Sequence, residues 1–177
     1  MSTHERFLTP PDIEPPPRHQ TGQVFLEKLA RTPDKKRRLT ILGACLKVRA
    51  GWVQEVLWES LSDPCEEVRG FICRALASID ALDLGCAFGR LHRPPWYARS
   101  AALRILGRRR VREAVGEIRR VLGDANVDVR CAAAEALGEI GGKEAVGLLV
   151  RLRKDENPYV RAAADQGIFK ASDLRFS

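Results

Sequence analysis

The chain has 177 residues, of which 45% are hydrophobic and only 6% aromatic, and it carries a formal net charge of +7. It contains no run of about 18 apolar residues, which excludes a membrane-spanning helix, and the apolar content of Ala, Leu, Val and Ile suits stacked helices better than aromatic-rich strands. No apolar segment of signal-peptide length opens the sequence, so a cytoplasmic location is expected.

In chain order, residues 1–20 include Pro10-Pro11 and Pro15-Pro16-Pro17 with little to bury, and are expected to form a disordered, polyproline-like tail. A domain is expected from residue 21 to 177. Val24, Phe25, Leu26 and Leu29 predict a first helix closed by Thr32-Pro33-Asp34. Leu39, Leu42 and Leu46 then recur at helical spacing. Helices are predicted next over 51–61 and from Asp63-Pro64 onward, where early proline costs little because its missing N–H would be unpaired anyway. Residues 82–91 predict a weaker, glycine-spotted helix, and Pro94-Pro95 starts its partner. Helices over 111–122 and 143–154 each precede a further copy.

The copies carry the architecture. DPCEEVRGFICRALASI from Asp63, PWYARSAALRILG from Pro95, DANVDVRCAAAEALGEI from Asp124 and DENPYVRAAADQGIF from Asp155 share an arginine followed by a helix of small residues. Their anchors, Arg69, Arg99, Arg130 and Arg161, are spaced by 30 or 31 residues. With Leu39 at the anchor position, the period extends back to a diverged first repeat. A pair of helices this short cannot bury its own apolar face and must stack on its neighbours. Val129, Ala132, Ala133, Ala136, Leu137 and Ile140 form one stripe and are the expected inter-helix core.

These motifs, with ALGEIGGKEAVGLLVRL, resemble the HEAT-like repeats, in particular the short-repeat variety found in bilin-lyase-like and other bacterial proteins. The resemblance covers about 150 residues. It implies an all-α superhelix, a HEAT-like solenoid of about five helix pairs, in which the second helix of each pair lines the concave face. Opposite the buried stripe, that face reads Gly70, Arg74, Ser78; Ser100, Arg104, Arg108; Cys131, Glu135, Glu139; and Ala162, Gln166, Lys170. The groove is therefore expected to be basic in its middle and acidic just after.

Charge and aromatics mark the third repeat. Ten arginines against two glutamates lie between Arg90 and Gly123, a larger excess than the whole chain has. Asp63, Asp124 and Asp155 each precede an anchor by six residues, which suggests that Asp and Arg pair with each other or cap turn carbonyls between neighbouring repeats. Arg99 lacks such an Asp and is expected to be open to an external anion. The expected partner-binding residues are Arg74, Trp96, Tyr97, Arg99, Arg104, Arg108, Arg109, Arg110 and Arg112. Trp52 and Trp58 are expected to be partly buried packing residues.

The expected role is a non-catalytic scaffold or adaptor holding a protein partner of mixed or acidic charge. A nucleic-acid track would keep one sign over many phosphates; HEAT-like DNA glycosylases also present a basic groove, but no carboxylate stands in register here, so binding without catalysis is the alternative. A lyase-like accessory enzyme is the third reading. No catalytic residue, cofactor or metal is expected: there is no H-E-x-x-H, no phosphate loop and no G-x-S-x-G, the five cysteines form no C-x-x-C, and the three histidines lack ligand spacing.

Overall fold

A computed structural model describes residues 18–48 and 50–173. Ten α-helices stand among them, and no strand: α1 (Arg18–Ala30), α2 (Lys35–Leu46), α3 (Trp52–Ser60), α4 (Glu66–Ser78), α5 (Leu84–Leu91), α6 (Trp96–Arg108), α7 (Val115–Arg120), α8 (Val127–Ile140), α9 (Gly142–Leu152) and α10 (Pro158–Asp173). They form five antiparallel pairs in an all-α solenoid. A 3₁₀ turn, Arg112–Ala114, precedes the short α7. The expected Pro-rich tail lies outside the described residues except for Arg18–Gln20, which open α1 three residues before the expected boundary.

Turn chemistry sets where the helices start. Asp34 accepts from the Arg37 N–H at 2.8 Å and Asp83 from the Cys86 N–H at 3.0 Å. Asn126 and Asn157 accept from N–H groups two residues on, at 2.9 Å each, satisfying donors the first helical turn leaves unpaired. α6 ends in a paired-carbonyl cap, with Arg110 N–H donating to Gly107 and Val111 N–H to Leu106, which places Arg110 at φ 49°.

The core runs unbroken along the stack. The six residues of the stripe from Val129 to Ile140 are all buried. Ala134, Gly138 and Arg130 on the same helix are buried as well, because α8 is flanked by α6 and α10 at once. Small residues let these helices meet: a Cβ on Gly107 would lie 2.7 Å from Ala136 Cα, and one on Gly138 would lie 2.6 Å from Gly167 Cα. Leu46 and Ala77 occupy the corresponding register in α2 and α4, and those helices pack less closely on their neighbours. Trp52 is half-buried and stacks on Phe25 with ring centroids 5.0 Å apart. Trp58, expected to be only partly buried, is fully buried.

Candidate functional site

The arginine anchors pair with the periodic aspartates across neighbouring repeats, not with the Asp six residues earlier. Arg99, expected to be open, donates from Nε and Nη2 to the two carboxylate oxygens of Asp124 at 2.8 and 2.9 Å, and is 18% exposed. Arg130 holds Asp155 the same way at 2.9 and 3.1 Å. Arg38 holds Asp63 at 2.7 and 3.1 Å. Each partner lies 25 residues after its arginine, just before the second helix of the next repeat. The anchor of repeat 1 is therefore Arg38, not Leu39.

The six-residue relation is served by the backbone instead. Nη1 of Arg69, Arg130 and Arg161 donates to the main-chain carbonyls of Asp63, Asp124 and Asp155, each at 2.8 Å. One guanidinium thus closes its own turn and grips the next repeat. Asp155 shows the balance of forces: burial pushes its carboxyl up, but the Arg130 hydrogen bonds and the Asn157 N–H outweigh that and hold it below the ordinary range.

The position opposite Arg69 is residue 94, a proline, so repeat 3 is where the ladder breaks. Arg90, 2% exposed, lies beside this break. It donates to Glu59 at 3.3 Å, to Ser62 Oγ at 3.0 Å and to the Pro94 carbonyl. Burial in this cage lowers the Arg90 pKa, with Arg93 and Arg99 adding repulsion. Tyr97 donates to the Ser62 carbonyl at 3.1 Å and lies under the Arg69 guanidinium, 4.5 Å from carbon to ring centroid. Trp96 meets Tyr97 edge-on and is 43% exposed.

The remaining predicted residues separate into three places. Arg74, Arg104 and Arg108 are exposed along α4 and α6 and surround the half-buried Cys73. Burial pushes that thiol up, while Arg108, Arg104, Arg69 and Arg74 oppose the rise. Arg104 bridges to Glu135 on α8 at 3.1 Å; Glu139 bridges onward to Lys170 on α10. Arg74 and Arg108 have no ion-pair partner among the described residues. Ser100, expected on this face, is buried. Between Arg104, Arg108, Glu135 and Glu139 lies a cavity of about 210 Å³, floored by Gly107 and Ala136.

Arg109 does not belong to this surface. It donates to the carbonyls of Ala77 at 3.0 Å and Asp80 at 2.8 Å, closing the C-terminal end of α4. Arg110 is exposed at the turn after α6. Arg112 lines a separate depression of about 280 Å³ with Gly141, Lys143 and Glu144. Trp96 starts α6, about 18 Å along the helix from Arg108, so the aromatic and groove residues are not one patch.

Arg38, Arg69 and Arg90 were absent from the expected site. For Arg38 and Arg69 the usable signal was the constant 25-residue Arg-to-Asp offset, with proline at 94 as its one interior break. Arg90 carries no such periodic mark. A cavity of about 450 Å³ in the first two repeats, between Leu26, Leu42 and Pro64, includes Arg38 and Asp63, whose charges are taken by each other. No group of three metal-ligating side chains occurs among the described residues, and no described helix is long and apolar enough to cross a membrane.

The family model for HEAT repeats matches residues 89–168, which include α6, α8 and most of α10. No curated protein matches the chain. Among solved structures, an engineered protein is 19% identical over 87% of this chain and 80% of its own, with a TM-score of 0.49. A designed armadillo repeat protein, solved in complex with the peptide (KR)4, is 17% identical over 87% and 88%, with a TM-score of 0.47.

Proposed function

We propose that the chain, whose residues 89–168 match the family model for HEAT repeats, is a non-catalytic scaffold that holds a protein partner on the face built by α4, α6 and α8. One observation carries this reading: Arg74 and Arg108 are exposed and unpaired beside Arg104, while Glu135 and Glu139 stand across a shared cavity. Unpaired cations beside carboxylates suit a partner of mixed charge. They suit a phosphate backbone poorly, because Glu135 and Glu139 interrupt the positive track that each added phosphate contact needs. Trp96 and Tyr97 form a second, separate element of the surface, and the exposed Arg110 and Arg112 lie apart from both.

The test is an in-cell photo-crosslink from a probe at Ser78, which is exposed on the same helix as Arg74, followed by quantified recovery of the partner with wild-type chain and with the Arg74→Glu/Arg108→Glu double variant. The double variant is expected to lose at least about tenfold in recovery, since reversing charges at a docking face adds like-charge repulsion. Equal recovery overturns the assignment of this face. A duplex or single-stranded oligonucleotide is expected to give no gel shift even at low salt; a salt-sensitive shift would instead favour nucleic-acid binding.

A further inference from the structure

Three times among the described residues a carboxylate sits in the same three-donor receptor. Asp63 takes Arg38 Nε, Arg38 Nη2 and the Cys65 N–H; Asp124 takes Arg99 Nε, Arg99 Nη2 and the Asn126 N–H; Asp155 takes Arg130 Nε, Arg130 Nη2 and the Asn157 N–H. The backbone contacts are 2.8–2.9 Å. In each case the guanidinium comes from one repeat, while the N–H comes from the start of the second helix in the next.

A fourth receptor lies between repeats 2 and 3, and its carboxylate is missing because residue 94 is proline. Its donors remain. Arg69 Nη1 is fixed on the Asp63 and Pro64 carbonyls at 2.8 and 2.9 Å, as in the filled sites. Arg69 Nε and Nη2 have no hydrogen-bond partner among the described residues and are not among the buried unpaired atoms, so they reach solvent. The Trp96 N–H, the counterpart of those of Cys65, Asn126 and Asn157, is likewise unpaired at the start of a 13-residue helix. The Arg69 guanidinium carbon lies over the Tyr97 ring, 4.5 Å from its centroid. The surroundings are cationic: Arg90 and Arg93 both pair with Glu59.

We infer that this vacated slot between α4 and α6 binds a carboxylate supplied in trans, the side chain of an Asp or Glu in a protein partner, held by Arg69 Nε and Nη2 and the Trp96 N–H beside the exposed Trp96 ring. A planar, two-oxygen acceptor matches the fork of a guanidinium, and its charge is favoured at a helix start. That the source is a protein rests on the function proposed above; the slot's preference for carboxylate does not, and it is tested without a partner.

The experiment uses the full ¹⁵N-labelled chain and follows the arginine Nε–H signals and the Trp96 amide while N-acetyl-aspartate N-methylamide is added. Sodium chloride at matched ionic strength is the reference, with acetate and inorganic phosphate as further arms. Arg69 is assigned by its loss in Arg69→Lys. The expected result is a saturable shift of Arg69 and Trp96 with both carboxylates, while Arg99 and Arg130, already filled, stay still. Arg69→Gln should weaken the Trp96 response at least about tenfold by removing the charged fork. Pro94→Asp should place Arg69 and Trp96 near their ligand-bound positions and abolish the response; if that variant misfolds, Arg69→Gln decides alone. No shift beyond that of chloride, or a tighter response to phosphate than to either carboxylate, overturns the inference. Failure of the Arg74/Arg108 variants with a positive titration here would remove the groove and leave the slot.

Discussion

Arg130 and Asp155 show how one side chain can serve two repeats. Their side chains are 8% and 10% exposed, and the arginine spends Nη1 on its own turn and its other donors on the next one. Removing one member of a buried pair leaves an uncompensated charge, so Arg130→Ala is expected to lower stability by about 3 kcal/mol, read by urea denaturation. The pH dependence has a definite sign. Because the Asp155 pKa is depressed in the folded chain, its contribution is complete above the unfolded value of about 4 and is lost as pH falls through the folded one. Asp155→Asn should therefore be less stable than wild type at pH 7, with the difference shrinking as pH falls below about 4. Arg110 is the opposite kind of residue, a side chain in a left-handed conformation that glycine adopts without steric cost. Arg110→Gly is expected to raise stability by about 0.5–1 kcal/mol, with an increase in Tm.

At the scale of the helices, spacing is decided by a few positions eight residues after each anchor. Glycine at 107 and 138 brings α6, α8 and α10 together, and the neighbouring backbone would collide with any Cβ there. Gly138→Val is expected to cost about 3 kcal/mol by overpacking, more than the same change at Gly116, which has open space around it; paired thermal melts check this. Much of this level was legible in the sequence. The turns at Asp63, Asp124 and Asp155, the alanine stripe on α8 and the order of helices all follow from local chemistry and a 3.6-residue period. The glycines were not legible as contacts, since a glycine in a helix reads only as a weak helix former until the facing backbone is known.

Across the whole molecule, the close packing of α6, α8 and α10 contrasts with the lighter contacts of α2 and α4. A solenoid's stability is a sum of neighbour interfaces, so opening need not be uniform. Hydrogen exchange is expected to be slowest in α8, which has close neighbours on both sides, and much faster in α1 and α2; uniform protection would contradict this. The charge map is also a property of the whole. Arg90 to Arg120 looked like one basic segment in sequence, yet the stack sends its members to an Asp124 pair, a cap on α4, a groove with Glu135 and Glu139, and a buried cage around Glu59.

The sequence alone determined the period, the helical class, the number of pairs and the stripe that must be buried, because these depend on residue spacing within one or two turns and on the inability of a single pair to bury its own apolar face. Only the tertiary structure decided which Asp each anchor takes, and so which anchor's fork is left open. An anchor and the Asp six residues before it are neighbours in sequence, but the fork points along the stack to the following repeat, 25 residues later. That direction moves the open position from Arg99 to Arg69, because the side chain's partner is set by how one repeat is laid on the next.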